Sequence, residues 1–260
     1  MSGSADGTRV GDISEPASFA TGLANDLVHS SSDLVGVCLH GSACLGGWQA
    51  KTSDVDLLIV VEDATGSAAL ETICRVVLKH ARHCPGTGIE CSVVTRSQAG
   101  PIRDSWPYLA HINAPDAEIT DTLALPGRED PDLLAHYAVC HQAGIAIFGP
   151  PASEVFAPVP REKILNYLAD EMIWGLENAP PRYALLNAFR AREFLEHDRI
   201  VSKVDAGELA LRQQRIDDPL AEIGAALVEQ RGGTPMSPLT ESVTEFVRNV
   251  SRDLRNQQTP

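Results

Sequence analysis

Residues 55–61 read Val-Asp-Leu-Leu-Ile-Val-Val. An aliphatic, β-branched run of this length is the pattern of a fully buried strand. It sets the position of a core, and it leaves two like charges, Asp54 and Asp56, at that core's edge. Side chains two apart on a strand share a face, so both carboxylates point the same way. Shortly before them stands a Gly41-Ser42 pair at the end of another β-branched run, 33–40.

The remaining pattern in the first half alternates. Apolar positions at helical spacing (Phe19, Leu23, Leu27) predict a helix over 15–30. Residues 66–82 carry a second helical periodicity, with Ser67 as a candidate cap. A third strand is expected at 88–95, and an edge strand at 105–113, where Pro107 suits an edge. Residues 130–144 predict a helix capped by Asp130, with Pro131 in its first turn and Gly144 at its end. Residues 145–151 read as a short strand or connector.

The Pro-rich stretch 149–160 marks a boundary, after which no convincing strand occurs. Helices are expected at 161–176, 181–197, 203–213, 217–231 and 237–255. The fold class is therefore α/β: a domain with a mixed sheet over 1–155, followed by an α-helical bundle over 156–260. The Gly/Ser-rich start and the final Asn-Gln-Gln-Thr-Pro are expected to be irregular.

No apolar run approaches the ~20 residues that a membrane span requires. With no apolar signal core at the start, a cytoplasmic protein is expected. Six cysteines occur without a Cys-x-x-Cys pair, which favours buried thiols over a disulfide framework or zinc site. The net charge of −14 disfavours a nucleic-acid partner and suits a cationic small molecule.

Two carboxylates so close need a compensating cation, or one pKa must rise. Mg²⁺ is the natural partner: a hard ion that takes one or two carboxylates together with substrate phosphates. Such a site serves in-line phosphoryl or nucleotidyl displacement. The Gly41-Ser42 turn can present N–H groups and a hydroxyl to phosphate oxygens, and Ser53 is a second candidate contact. Glu90, inside the third strand, is costly to bury unless a metal or substrate meets it. It could complete the metal site or take the proton from an attacking hydroxyl.

The stretch 40–60, with Gly-Ser followed by an Asp-x-Asp strand, resembles the nucleotidyltransferase superfamily that includes DNA polymerase β. More narrowly, "HGSA", "GG" and "SDVDLL" look like the aminoglycoside 3''- and 9-O-adenylyltransferases, as do 89–94, 130–150, 154–160 and 185–211. The resemblance implies ATP as co-substrate, two Mg²⁺ ions, and transfer of AMP to an antibiotic hydroxyl. It implies metal binding by Asp54 and Asp56, a catalytic base at Glu90, and Ser42 and Ser53 near the triphosphate. It further implies that Arg190 and Lys203 close on ATP from the helical domain. Acceptor contacts are implied at Trp174 and Glu177, in a segment shorter than that of streptomycin-accepting members. A monomer is expected.

Other residues have plainer expectations. His40 reads as a strand-end histidine, and His80, His83 and Cys84 as a helix-end group. His136 and His141, five apart, face different ways. Asp132 and His136 could line the cleft, though a solvated helix face is the favoured reading. Trp48 would stack on a ligand or anchor its loop. Two rival functions remain: a nucleotidyltransferase with another small-molecule, protein or RNA acceptor, and a non-catalytic binding protein of the same fold.

Overall fold

A computed structural model describes residues 13–100, 104–115 and 128–257. The two expected irregular ends fall largely outside these residues. In chain order the first elements are α1 (Ser14–Ser30), β1 (Leu34–Leu39), α2 (Gly41–Cys44), β2 (Val55–Val61), α3 (Ser67–Ala81) and β3 (Gly88–Thr95). They are followed by α4 (Arg96–Ala99), β4 (Ala110–Pro115), α5 (Leu133–Ala143), β5 (Ile145–Phe148) and α6 (Ala152–Val155). Then come α7 (Arg161–Asn178), α8 (Pro181–His197), α9 (Lys203–Gln213), α10 (Leu220–Gln230) and α11 (Glu241–Asn256).

The sheet has the order β4-β3-β2-β1-β5 and is mixed. β2 runs parallel to β3 and antiparallel to β1, while β4 and β5 close the edges antiparallel. Every residue of β2 is buried, as its composition demands. Its side chains alternate between two cores. Val55, Leu57, Ile59 and Val61 pack with Leu23 and Leu27 of α1 and Ile73 and Val77 of α3. Leu58 and Val60 face the other way, against Leu133, Tyr137 and Cys140 of α5. Asp56 belongs to this second set by parity, so it points toward α5.

α5 is apolar on both sides. Leu133, Tyr137 and Cys140 meet the sheet. Leu134 and Ala138 instead join Ile164, Leu165 and Met172 of α7 and Val247 of α11. A second helical core gathers Leu185, Leu186 and Phe189 of α8 with Ala206, Ile223 and Leu227. After Phe148 the described residues contain helices and no strand.

Several boundaries differ from expectation. α5 begins at Leu133, not at Asp130, because Asp130 Oδ1 accepts the N–H of Asp132 at 2.9 Å and closes a turn ahead of the helix. Ser67 is the first helical residue, with Gly66 at the cap position and no side-chain cap bond. The edge strand is Ala110–Pro115, shifted along from 105–113, and Pro107 makes an isolated bridge to Glu129. α10 and α11 start later than expected, behind Pro219 and behind Thr240, whose side chain accepts from Val243. All six thiols are free; Cys38, Cys74, Cys91 and Cys140 are buried, and Cys44 and Cys84 are half-buried.

One buried ion pair ties the bundle together. Arg192 on α8 grips Asp218, ahead of α10, through two bonds of 2.6 and 2.8 Å. The Asp218 side chain is 1 % exposed. Replacing Arg192 by Met leaves that carboxylate buried and unpaired, which is expected to cost about 3–5 kcal/mol. Urea unfolding of the variant checks this; a loss under 1 kcal/mol on that order would contradict it.

Candidate active site

Parallel pairing of β2 with β3 sets Asp56 directly beside Glu90. Asp54 lies just before β2, and its carbonyl is held by the Trp48 indole N–H at 3.1 Å. Trp48 is buried in the α1–α3 core and so anchors the loop; it is not among the residues lining the cleft. One oxygen from each of Asp54, Asp56 and Glu90 falls within 4.8 Å of the others. Among the described residues this is the only group of three or more His, Cys, Asp or Glu side chains so placed.

The backbone ahead of the strand is shaped to let Asp56 in. His40 N–H donates to the Asp56 carbonyl at 3.0 Å. Gly41 has φ +61°, and a Cβ there would stand 1.8 Å from Asp56 Oδ2. The Gly-Ser turn is one turn of helix, α2, whose Ser42 N–H bonds the Asp56 carboxylate. Ser53 is buried, and its hydroxyl accepts the Gln49 N–H at 3.2 Å.

Electrically the three acids are under-compensated. Burial, then the charges of Asp54 and Glu90, hold Asp56 well above the usual carboxylate range; Ser42 and Lys203 oppose the rise. Burial also raises Glu90, opposed by His136 and aided by Asp54. The donor set is all hard oxygen, and burial with mutual repulsion raises the pKa of two of its acids, Asp56 and Glu90. Such a set fits a divalent cation such as Mg²⁺.

The opposite wall comes from the helical half. Arg190 on α8 donates Nε to the Val201 carbonyl at 2.9 Å and Nη1 to Asn187 Oδ1 at 3.0 Å. Lys203, the first residue of α9, holds its ammonium 4.1 Å from the centre of the Tyr183 ring. Burial, with Arg190 alongside, pulls the Lys203 pKa down to about 8. The loop and the bundle meet closely here. A Cβ on Gly47 would stand 2.6 Å from Ser202 Oγ, and Thr52 donates to the Gln230 carbonyl at 2.5 Å.

The cleft has a volume of about 320 Å³ and draws lining residues from both halves. Gly41, Ser42, Ser53, Asp54, Asp56, Glu90, Arg190 and Lys203, all singled out in the sequence, line it together. Trp174 and Glu177 do not. Trp174 is half exposed and touches the back of Tyr183 edge-on at 6.0 Å, and Glu177 lines a separate hollow with Pro181 and Arg248. The cleft's additional acids are Glu171 and Asp132 instead, held by Tyr183 and Tyr167 hydroxyls, the latter at 3.0 Å.

Asp132 and His136, expected on a solvated face, also line the cleft, because α5 is covered on that side by α7. His136 Nε2 stands 3.9 Å from Glu90 Oε1, and its ring is 4.8 Å from that of His40. His40 is buried and held well below its ordinary pKa by that burial. His80 bonds Asp26 of α1 at 3.0 Å and plays no part here, and His141 turns away to the Phe156 carbonyl at 2.8 Å. Glu171 and Tyr183 carry no periodic or motif signal; they become visible only once the helices are docked.

The Gly-Ser turn, the carboxylate pair on a central strand and the third acid beside it on a mixed sheet keep the resemblance to nucleotidyltransferases. Comparison with solved structures agrees. A spectinomycin adenyltransferase from Enterococcus faecialis, solved with ATP and spectinomycin, matches 90 % of this chain and 98 % of its own at a TM-score of 0.67 and 14 % identity. Residues 154–253 match the family described as "Aminoglycoside adenylyltransferase, C-terminal domain". Curated aminoglycoside (3'') (9) adenylyltransferases of Klebsiella pneumoniae and Escherichia coli are 27 % identical over 164 residues, 60 % of this chain and 60 % of theirs. The C-terminal helical part of the chain is thus similar to the C-terminal domain of aminoglycoside adenylyltransferases.

Gly41 is the most sensitive backbone position in this site. Gly41→Ala is expected to cost about 1–2 kcal/mol through its left-handed backbone and to push Asp56 out of line. Mg²⁺ binding should weaken at least about tenfold, a factor of roughly 1.4 kcal/mol. Calorimetric titration alongside thermal melting checks both; unchanged Mg²⁺ affinity would contradict the role given to this glycine.

Proposed function

We propose that the protein is an ATP- and Mg²⁺-dependent O-adenylyltransferase acting on a hydroxyl of an aminoglycoside or aminocyclitol. The observation that carries this reading is the facing of three clustered carboxylates, Asp54, Asp56 and Glu90, by Arg190 and Lys203 across one cleft. The ligands of the Enterococcus neighbour, ATP and spectinomycin, support the pairing of a nucleotide with an aminocyclitol.

In this reading residues 1–155 form the nucleotidyltransferase domain and 156–260 the helical domain that closes on ATP. Asp54, Asp56 and Glu90 hold Mg²⁺, two ions in all, which when bound offset the charge of the triphosphate. Ser42 and Ser53 contact the β- and γ-phosphates, and Arg190 and Lys203 close over them from the other wall. Glu90 takes the proton from the acceptor hydroxyl. The freed oxygen forms a bond to the α-phosphorus, the α–β bridging bond breaks, and pyrophosphate leaves. Asp132 and Glu171 supply negative charge for the acceptor's ammonium groups, with Trp174 and Glu177 further out along the same helix. All of these residues come from one chain, so a monomer suffices, and ATP as co-substrate places the work in the cytoplasm.

The direct test is transfer of labelled AMP from ATP to a panel containing spectinomycin, streptomycin and amino-sugar antibiotics. Wild type should label at least one, and label on none would refute the reading. Glu90→Gln should lower turnover by at least about a hundredfold while Mg·ATP binding stays within a few fold. Full activity in that variant would remove Glu90 from the role of base.

A pH dependence follows from Lys203. Its folded-state pKa, lowered to about 8, leaves the amine increasingly neutral above that pH. A bound triphosphate favours the ammonium form, so binding draws in a proton. Mg·ATP affinity should therefore fall as pH rises above 8, approaching about tenfold per unit. Titration calorimetry in buffers of different ionisation enthalpy measures this uptake, and Lys203→Met should abolish it.

A further inference from the structure

Asn187 lies on α8 one turn before Arg190, is 4 % exposed, and lines the cleft. Its Oδ1 accepts the Arg190 Nη1 bond at 3.0 Å. A guanidinium offers only N–H groups, so the carboxamide must turn its oxygen that way. Its nitrogen is thereby fixed at the opposite end. Nδ2 has no hydrogen-bond partner among the described residues. A buried donor left unpaired is costly, and native structures keep such groups few. Holding Arg190 in place requires the oxygen alone and leaves the nitrogen unexplained.

We infer that Asn187 is a ligand-binding residue whose Nδ2 donates to an anionic oxygen of the nucleoside triphosphate. This rests on the nucleotide reading given above. Its neighbours decide the ligand's chemistry. Arg190 is one turn away, and Lys203 also faces the cleft. A donor beside two cations collects phosphate oxygens and repels the ammonium groups of an acceptor. Asn187 thus joins Arg190 into a rigid fork, with a charge at one tine and a neutral donor at the other.

Asn187→Asp separates this role from a structural one. The variant is nearly isosteric and still presents an oxygen to Arg190, but the donor becomes an acidic acceptor. Binding of Mg·ATP and of Mg·tripolyphosphate is measured by calorimetry on wild type, Asn187→Asp and Asn187→Ala, with melting curves for each. The expected result is folded variants that bind both ligands at least about tenfold more weakly. Wild-type binding of both ligands by Asn187→Asp overturns the inference. If that variant does not fold, wild-type binding by Asn187→Ala overturns it equally. Weakened ATP with unchanged tripolyphosphate overturns the phosphate assignment, since the amide would then serve the base or ribose. A wild type that binds neither ligand sinks the nucleotide reading, and this inference with it.

Discussion

Repulsion among three acids at the end of a buried strand governs this molecule. Parallel pairing of β2 and β3 puts Asp56 beside Glu90, and the chain then adds Asp54 one turn of pleat away. Asp56 is buried and Asp54 and Glu90 are only partly open to water, so their charges are weakly screened. The surroundings answer in two ways. Nearby backbone withdraws, as at Gly41, or donates, as at the Ser42 N–H. Positive charge is brought in from a distance, on α8 and α9, where burial lowers the pKa of Arg190 and brings that of Lys203 to about 8. The site is thus balanced only in part by its own residues.

Docking of the helical half supplies the other wall, and α5 organises that docking. It packs one side on the sheet and the other on α7 and α11, so Asp132 and His136 near its start are carried into the cleft. The loop between β1 and β2 makes a second junction. Gly47 lets it press against the cap of α9, and Thr52 hooks it to the end of α10. Trp48 fixes the same loop to the sheet core while holding the Asp54 carbonyl. The distance from carboxylates to cations is therefore set by packing between elements far apart in sequence.

Much of this was legible before any coordinates. The run 55–61 could only be a covered strand, and parity along it gave the shared face of Asp54 and Asp56. The third acid, Glu90, stood out because an acid inside an apolar strand is anomalous. Resemblance, rather than periodicity, pointed to Arg190 and Lys203, since a cation on an amphipathic helix looks like any other. What the sequence hid depended on docking. Asp132 and His136 occupy a helix face that solvent would cover if α7 were elsewhere. Glu171, not Glu177, supplies the acid on α7, because helical rotation decides which of two nearby carboxylates meets the cleft. Asn187 was invisible for the same reason. Proline and Asp side chains also shifted helix starts by a few residues, where local turns compete with the first helical bonds.

The double-sided packing of α5 bears on how the chain could be divided. Leu134 and Ala138 belong to the same apolar cluster as Ile164, Leu165, Met172 and Val247. A cut at the proline-rich connector would strip that cluster of two members and leave a greasy scar on each fragment. The seam in composition is thus not a seam in cohesion, and grafting the helical portion onto another sheet would have to bring α5 along with it.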